Sequence, residues 1–89
     1  MTEIKKGSFC RSQAGHDKGN VYIIVETEPN IMVADGKIKQ LSNPKRKNPR
    51  HLEILSYRDG ELDKKLAGGR LQDTDIKYSI RNYLKTHKE

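Results

Sequence analysis

A small, mainly β domain, with five strands curled into a barrel and two short C-terminal α-helices packed on it, is the fold this sequence predicts. Three observations predict it. The run Val21-Tyr22-Ile23-Ile24-Val25 is apolar on both faces and rich in β-branched residues. Turn signals built on Gly, Pro, Asn and Asp recur at short intervals up to residue 50. Beyond residue 60 the apolar period lengthens to that of a helix. The 89 residues support one core, so 1–89 reads as a single domain, with the barrel over about 6–57 and a helical extension over about 60–87.

Taken in order, residues 8–14 form the first strand, with Cys10, Ser12 and Ala14 on one face and Phe9, Arg11 and Gln13 on the other. Gly15 and Gly19 then bound a tight turn containing Asp17, whose carboxylate suits the amides of such a turn. Residues 20–28 are the second strand. Val21, Ile23 and Val25 share one face and Tyr22 and Ile24 the other, and the Tyr22 side is expected to lie under a helix because both faces are apolar. After Glu28-Pro29-Asn30 comes a third strand over 31–35, closed by the hairpin dipeptide Asp35-Gly36, with 37–41 pairing back as a fourth. Asn43-Pro44 and Asn48-Pro49 keep the segment between them extended and exposed, and residues 51–56 are the fifth strand.

Leu62 and Leu66, four apart and followed by Gly68-Gly69, predict a short helix over 60–67. A second helix starts near Asp73 or Thr74, either of which suits the cap, and Asp75 adds favourable charge to its first turn. Ile76, Ile80, Tyr83 and Leu84 give it one apolar stripe to lay on the sheet. Tyr22 and Tyr83 are therefore expected in the core, while Tyr57 beside Arg58 is a minor candidate for stacking on a base.

The formal net charge is +6 and the single cysteine, Cys10, permits no intrachain disulfide. A stapled secreted domain is excluded on that ground, and a cytoplasmic protein is expected. No stretch approaches the roughly 18 apolar residues of a membrane span, and the second helix has too narrow an apolar face to lie on a membrane. The positive field suits a polyanion. Its densest source is the segment 37–51, where Lys37, Lys39, Lys45, Arg46, Lys47 and Arg50 occur with no acidic residue before Glu53.

Ala14-Gly15-His16-Asp17-Lys18-Gly19, followed by the apolar strand, the Asp35-Gly36 turn, the Pro-interrupted basic segment and two terminal helices, resembles the small KOW-domain RNA-binding proteins of the large-subunit ribosomal protein fourteen-e type. The resemblance covers residues 6–56 and extends more loosely to the helices. It implies an SH3-like barrel whose motif turn and neighbouring loops face RNA, above all ribosomal RNA of the large subunit, with ribosomal proteins as possible neighbours. His16 departs from the arginine expected there and carries no permanent charge.

The residues expected to contact RNA are Arg11, His16, Lys18, Lys37, Lys39, Lys45, Arg46, Lys47 and Arg50. Arg46 and Arg50 should matter most, because a guanidinium can fork onto phosphate or stack on an unpaired base. Reversing Arg46 and Lys47 to glutamate is expected to remove binding and to leave the thermal midpoint nearly unchanged. Gly15, Asp17 and Gly19 are read as builders of the turn. Cys10, His16, His51 and His87 lack the paired spacing of a metal site, and the glycines do not form a phosphate-binding loop. Neither a catalytic constellation nor a cofactor is expected, and the free chain is expected to be a monomer. The alternative reading is a protein-binding SH3-like adaptor of the transcription or translation machinery.

Overall fold

Val21, Tyr22, Ile23, Ile24 and Val25 are all buried and make up most of strand β2 (Val21–Glu26), around which the domain is built. The structure, a computed structural model, describes residues 4–87. Here β2 pairs with β1 (Phe9–Ser12) and β3 (Met32–Ala34), β1 also pairs with β5 (Leu52–Ile54), and β3 with β4 (Lys45–Arg46). All pairings are antiparallel and the order is β4-β3-β2-β1-β5. The expected barrel is not closed. β4 and β5 are the edges of the sheet, and at two and three residues they leave little backbone for a further ladder.

Both faces of the sheet are apolar, but the helices choose the opposite one from that expected. Phe9, Val21, Ile23, Val25 and Ala34 pack with Leu62 of α1 (Gly60–Ala67) and with Ile76, Ile80 and Tyr83 of α2 (Asp73–Thr86). Cys10, Tyr22, Ile24 and Val33 form a second cluster on the other face, covered by Ile4, Ile31, Leu52 and Ile54 from flanking segments. Tyr22 therefore needs no helix over it. A register shift between Ile24 and Glu26 marks a bulge in β2, which bends the strand and increases its twist.

The fourth strand is also displaced. The Asp35 carboxylate accepts the backbone N–H groups of Lys37 and Lys39 at 2.9 Å each, curling the chain into a closed turn in place of a hairpin. Leu41 then donates its N–H to Asp73 of α2 at 2.7 Å, drawing the segment toward the helix start. Gly36 makes that approach possible: its φ is +79°, and a Cβ there would collide with the Asp73 carbonyl oxygen. The strand paired with β3 is instead Lys45–Arg46, inside the segment expected to be an extended loop. A 3₁₀ turn over Pro49–His51, capped by the Asn48 side chain, leads from it into β5.

Helix α1 starts where expected. Its N-cap Asp59 accepts from the N–H groups of Glu61 and Leu62 and also holds the Ser79 hydroxyl of α2, tying the two helices together. The N-cap of α2 is Gln72, one residue earlier than expected, with Asp75 accepting the Gln72 N–H at 3.0 Å. Asp73 is diverted to Leu41. Tyr57, the stacking candidate, packs edge-on against Phe9 at 4.9 Å and Tyr83 at 5.1 Å. The radius of gyration is 11.8 Å, against about 12 Å for a single domain of this length. No helix among the described residues is long and apolar enough to cross a membrane.

Candidate nucleic-acid interface

The motif turn is closed by backbone pairs between Ser12 and its neighbours beyond the loop: Ser12 donates to Asn20 O at 2.9 Å, and Gly19 donates to Ser12 O at 2.8 Å. Gly15 and Gly19 take φ of +88° and +92°, a region that costs other residues energy. Nothing lies within 4 Å of a Cβ placed on Gly19, so backbone conformation and not crowding calls for glycine there.

Asp17 gathers side chains from three segments around the turn. Its Oδ1 accepts from Ser12 Oγ and Lys47 Nζ, each at 2.9 Å, and its Oδ2 from Tyr22 Oη at 2.9 Å and Lys45 Nζ at 2.8 Å. The expected bonds to turn amides are replaced by four side-chain donors. Lys47 Nζ also donates to Ser12 Oγ at 2.9 Å. Burial by itself would raise the Asp17 carboxyl, but the bonds from Lys45, Lys47, Tyr22 and Ser12 outweigh it and hold the group well below the usual carboxylate range. Ser12, small for an inward position, is thus suited to it: its hydroxyl accepts from the buried Lys47 ammonium and donates to Asp17.

This clamp divides the expected RNA-binding residues into two groups. Lys47 is a correction, because its side chain is only 8% exposed and its charge is spent on Asp17. Lys45, at 35% exposure, is half committed in the same way. Lys45 on β4 and Lys47 just beyond it both turn inward, a placement that β alternation allows and that local sequence does not reveal. Reversing Lys47 to glutamate would bring two carboxylates together, so the expected neutral effect on stability does not hold. Arg11 is 23% exposed and lies 4.0 Å from Glu53. Lys39 is half-buried, and Lys37 and Lys39 do not share a strand face because no strand forms there. His16, Lys18, Lys37, Arg46 and Arg50 are exposed.

Three further cations escaped the sequence reading. Lys77, Arg81 and Lys85 project from α2 at i, i+4 and i+8, and with Lys37 they line an open groove of about 570 Å³ that reaches Gly19 and Asn20 at the end of the motif turn. Their spacing was legible, as a stripe bordering the apolar one. What was not legible is that the 36–41 turn, drawn in by Asp73, supplies the opposite bank.

Cys10 is fully buried and donates to Tyr22 O at 3.6 Å. Burial pushes its thiol up to about 12, only partly offset by the charge of Lys47, so it is no thiolate near neutral pH. Burial, with the Asp17 carboxylate adding to it, likewise pushes the Tyr22 phenol up to about 12. Among the described residues no three His, Cys, Asp or Glu side chains are grouped to hold a metal ion. No protein-family model matches the chain, and no curated protein matches it.

Proposed function

We propose that the chain is a non-enzymatic RNA-binding module, with ribosomal RNA of the large subunit as its expected partner in translation or ribosome assembly. The observation that carries this reading is the Asp17 clamp. By drawing in Lys45 and Lys47 it ties the motif turn to the basic strand and leaves Lys18, Arg46 and Arg50 exposed and without a carboxylate partner among the described residues. Cations held on a fixed backbone lose little conformational freedom on meeting phosphate. The Gly-x-Asp-Lys-Gly turn supports the likeness to KOW domains, and the strand order with a bulged β2 supports an SH3-like, incompletely closed barrel.

Capture is electrostatic, through counterion release, and the guanidinium groups of Arg46 and Arg50 add bidentate contacts or stacking on unpaired bases. The test is co-sedimentation with purified ribosomal subunits and with free RNA polymerase at low and moderate salt, comparing the parent with Arg46→Glu/Arg50→Glu. Salt-sensitive recovery with the large subunit, lost in the variant, is the expected result. Salt-tolerant recovery on polymerase, unchanged in the variant, would replace this reading with the adaptor. The exposed large apolar side chains among the described residues are Ile38, Tyr78 and Leu84, fewer than the contiguous patch an adaptor would present.

A further inference from the structure

The groove between α2 and the motif turn has a chemistry of its own. Lys77, Arg81 and Lys85 stand on successive turns of one helix face, about 6 Å apart along the axis, the scale of the repeat of a sugar–phosphate strand. Lys37 faces them from the other bank, and none of the four is paired with a carboxylate among the described residues. Other cations of the fold are paired, Lys6 with Glu26, Arg58 with Asp63 and Lys65 with Asp75. The one acid on the rim, Asp35, has an oxygen occupied by the amides of Lys37 and Lys39. Between the cations lie Ile80 and Leu84, the latter 47% exposed despite belonging to the apolar stripe of the helix.

The geometry points to this groove as the seat of a run of unpaired RNA, its phosphates on Lys77, Arg81, Lys85 and Lys37 and a base or ribose on Leu84. The inference rests on the RNA reading and extends it to a surface separate from Arg46 and Arg50. A half-exposed leucine among cations offers little to a duplex, which presents phosphates and a shallow groove edge, but it suits a strand with its bases turned out. The groove reaches Gly19 and Asn20 at the end of the motif turn.

The experiment measures fluorescence anisotropy of labelled oligouridylate and of a labelled blunt RNA duplex with four proteins: the parent, Lys77→Glu/Arg81→Glu, Arg46→Glu/Arg50→Glu, and the charge-matched control Lys64→Glu/Arg70→Glu. Thermal midpoints are recorded in parallel, and Lys77→Gln/Arg81→Gln replaces the reversal if that variant unfolds. The expected result is about a tenfold loss of oligouridylate affinity in the α2 variant, beyond any loss in the control, with a smaller effect on the duplex. An equal loss in the control would reduce the groove to general charge and overturn the inference, as would a loss confined to the duplex. If Arg46→Glu/Arg50→Glu weakens binding while the α2 variant does not, the groove fails and the RNA reading stands; if neither weakens binding, the RNA reading fails with it. Polyglutamate of matched charge binding the parent more tightly than oligouridylate, with that advantage lost in the α2 variant, would assign the groove to an acidic protein.

Discussion

Lys47 Nζ lies 2.9 Å from Asp17 Oδ1, with the two side chains only 8% and 11% exposed. A cation from the densest basic segment is thus turned inward to hold the glycine-bounded turn in place. Such a pair contributes through complete satisfaction more than through attraction, because removing one partner strands a desolvated charge.

Asp17→Asn is therefore expected to destabilise the domain by about 3–5 kcal/mol, the scale for breaking a buried pair on one side. Combining it with Lys47→Met should cost less than the two single changes summed. Urea unfolding of the four proteins measures this. A loss below about 1 kcal/mol for Asp17→Asn would mean that the clamp is not what holds the turn.

The same carboxylate sets a pH dependence. Its pKa is lowered in the folded chain and returns to about 3.9 on unfolding, so unfolding takes up a proton in acid. The stabilisation is complete above about pH 4 and declines progressively as pH falls further. Asp75, held low by Lys65 and by the Gln72 amide, acts in the same direction. Urea midpoints recorded between neutral and strongly acid pH should fall at the acid end, and less so in Asp17→Asn.

Gly36→Ala is expected to destabilise by about 1–3 kcal/mol, since it combines a positive φ with a collision against the start of α2. Gly19→Ala, with open space around its Cβ, should cost only the conformational part, about 1–2 kcal/mol. Thermal melts of both variants compare crowding with conformation directly; equal losses would remove the close approach as a cause.

Salt dependence separates contact from field. If Arg46 and Arg50 each neutralise a phosphate, Arg46→Ala/Arg50→Ala should reduce the magnitude of the slope of log K against log salt by about 1.4 on single-stranded RNA, at about 0.7 per contact. A lower affinity with an unchanged slope would show that the two arginines act by some means other than phosphate contact.

Cys10, fully buried with its thiol pushed up to about 12, should resist alkylation by iodoacetamide at neutral pH and react once urea unfolds the chain. Rapid labelling of the native protein would show that the Cys10, Tyr22, Ile24 and Val33 cluster opens readily.

By itself, the sequence determined what depends on period and local backbone chemistry: β2 from its unbroken apolar run, the positive-φ glycines around Asp17, both helices, and the burial of Tyr22 and Tyr83. Tertiary structure alone decided which apolar face of β2 received the helices, because a strand apolar on both sides carries no label for its neighbours. It also moved the fourth strand from 37–41 to Lys45–Arg46, since the competing bond from Leu41 to Asp73 spans 32 residues. Above all, it decided which cations remain available to a ligand. Lys47 and Arg46 are adjacent and alike in charge, yet one is consumed by a carboxylate 30 residues away while the other stays exposed. Charge is written in the sequence, but its neutralisation depends on distance and desolvation, which exist only after the chain has folded.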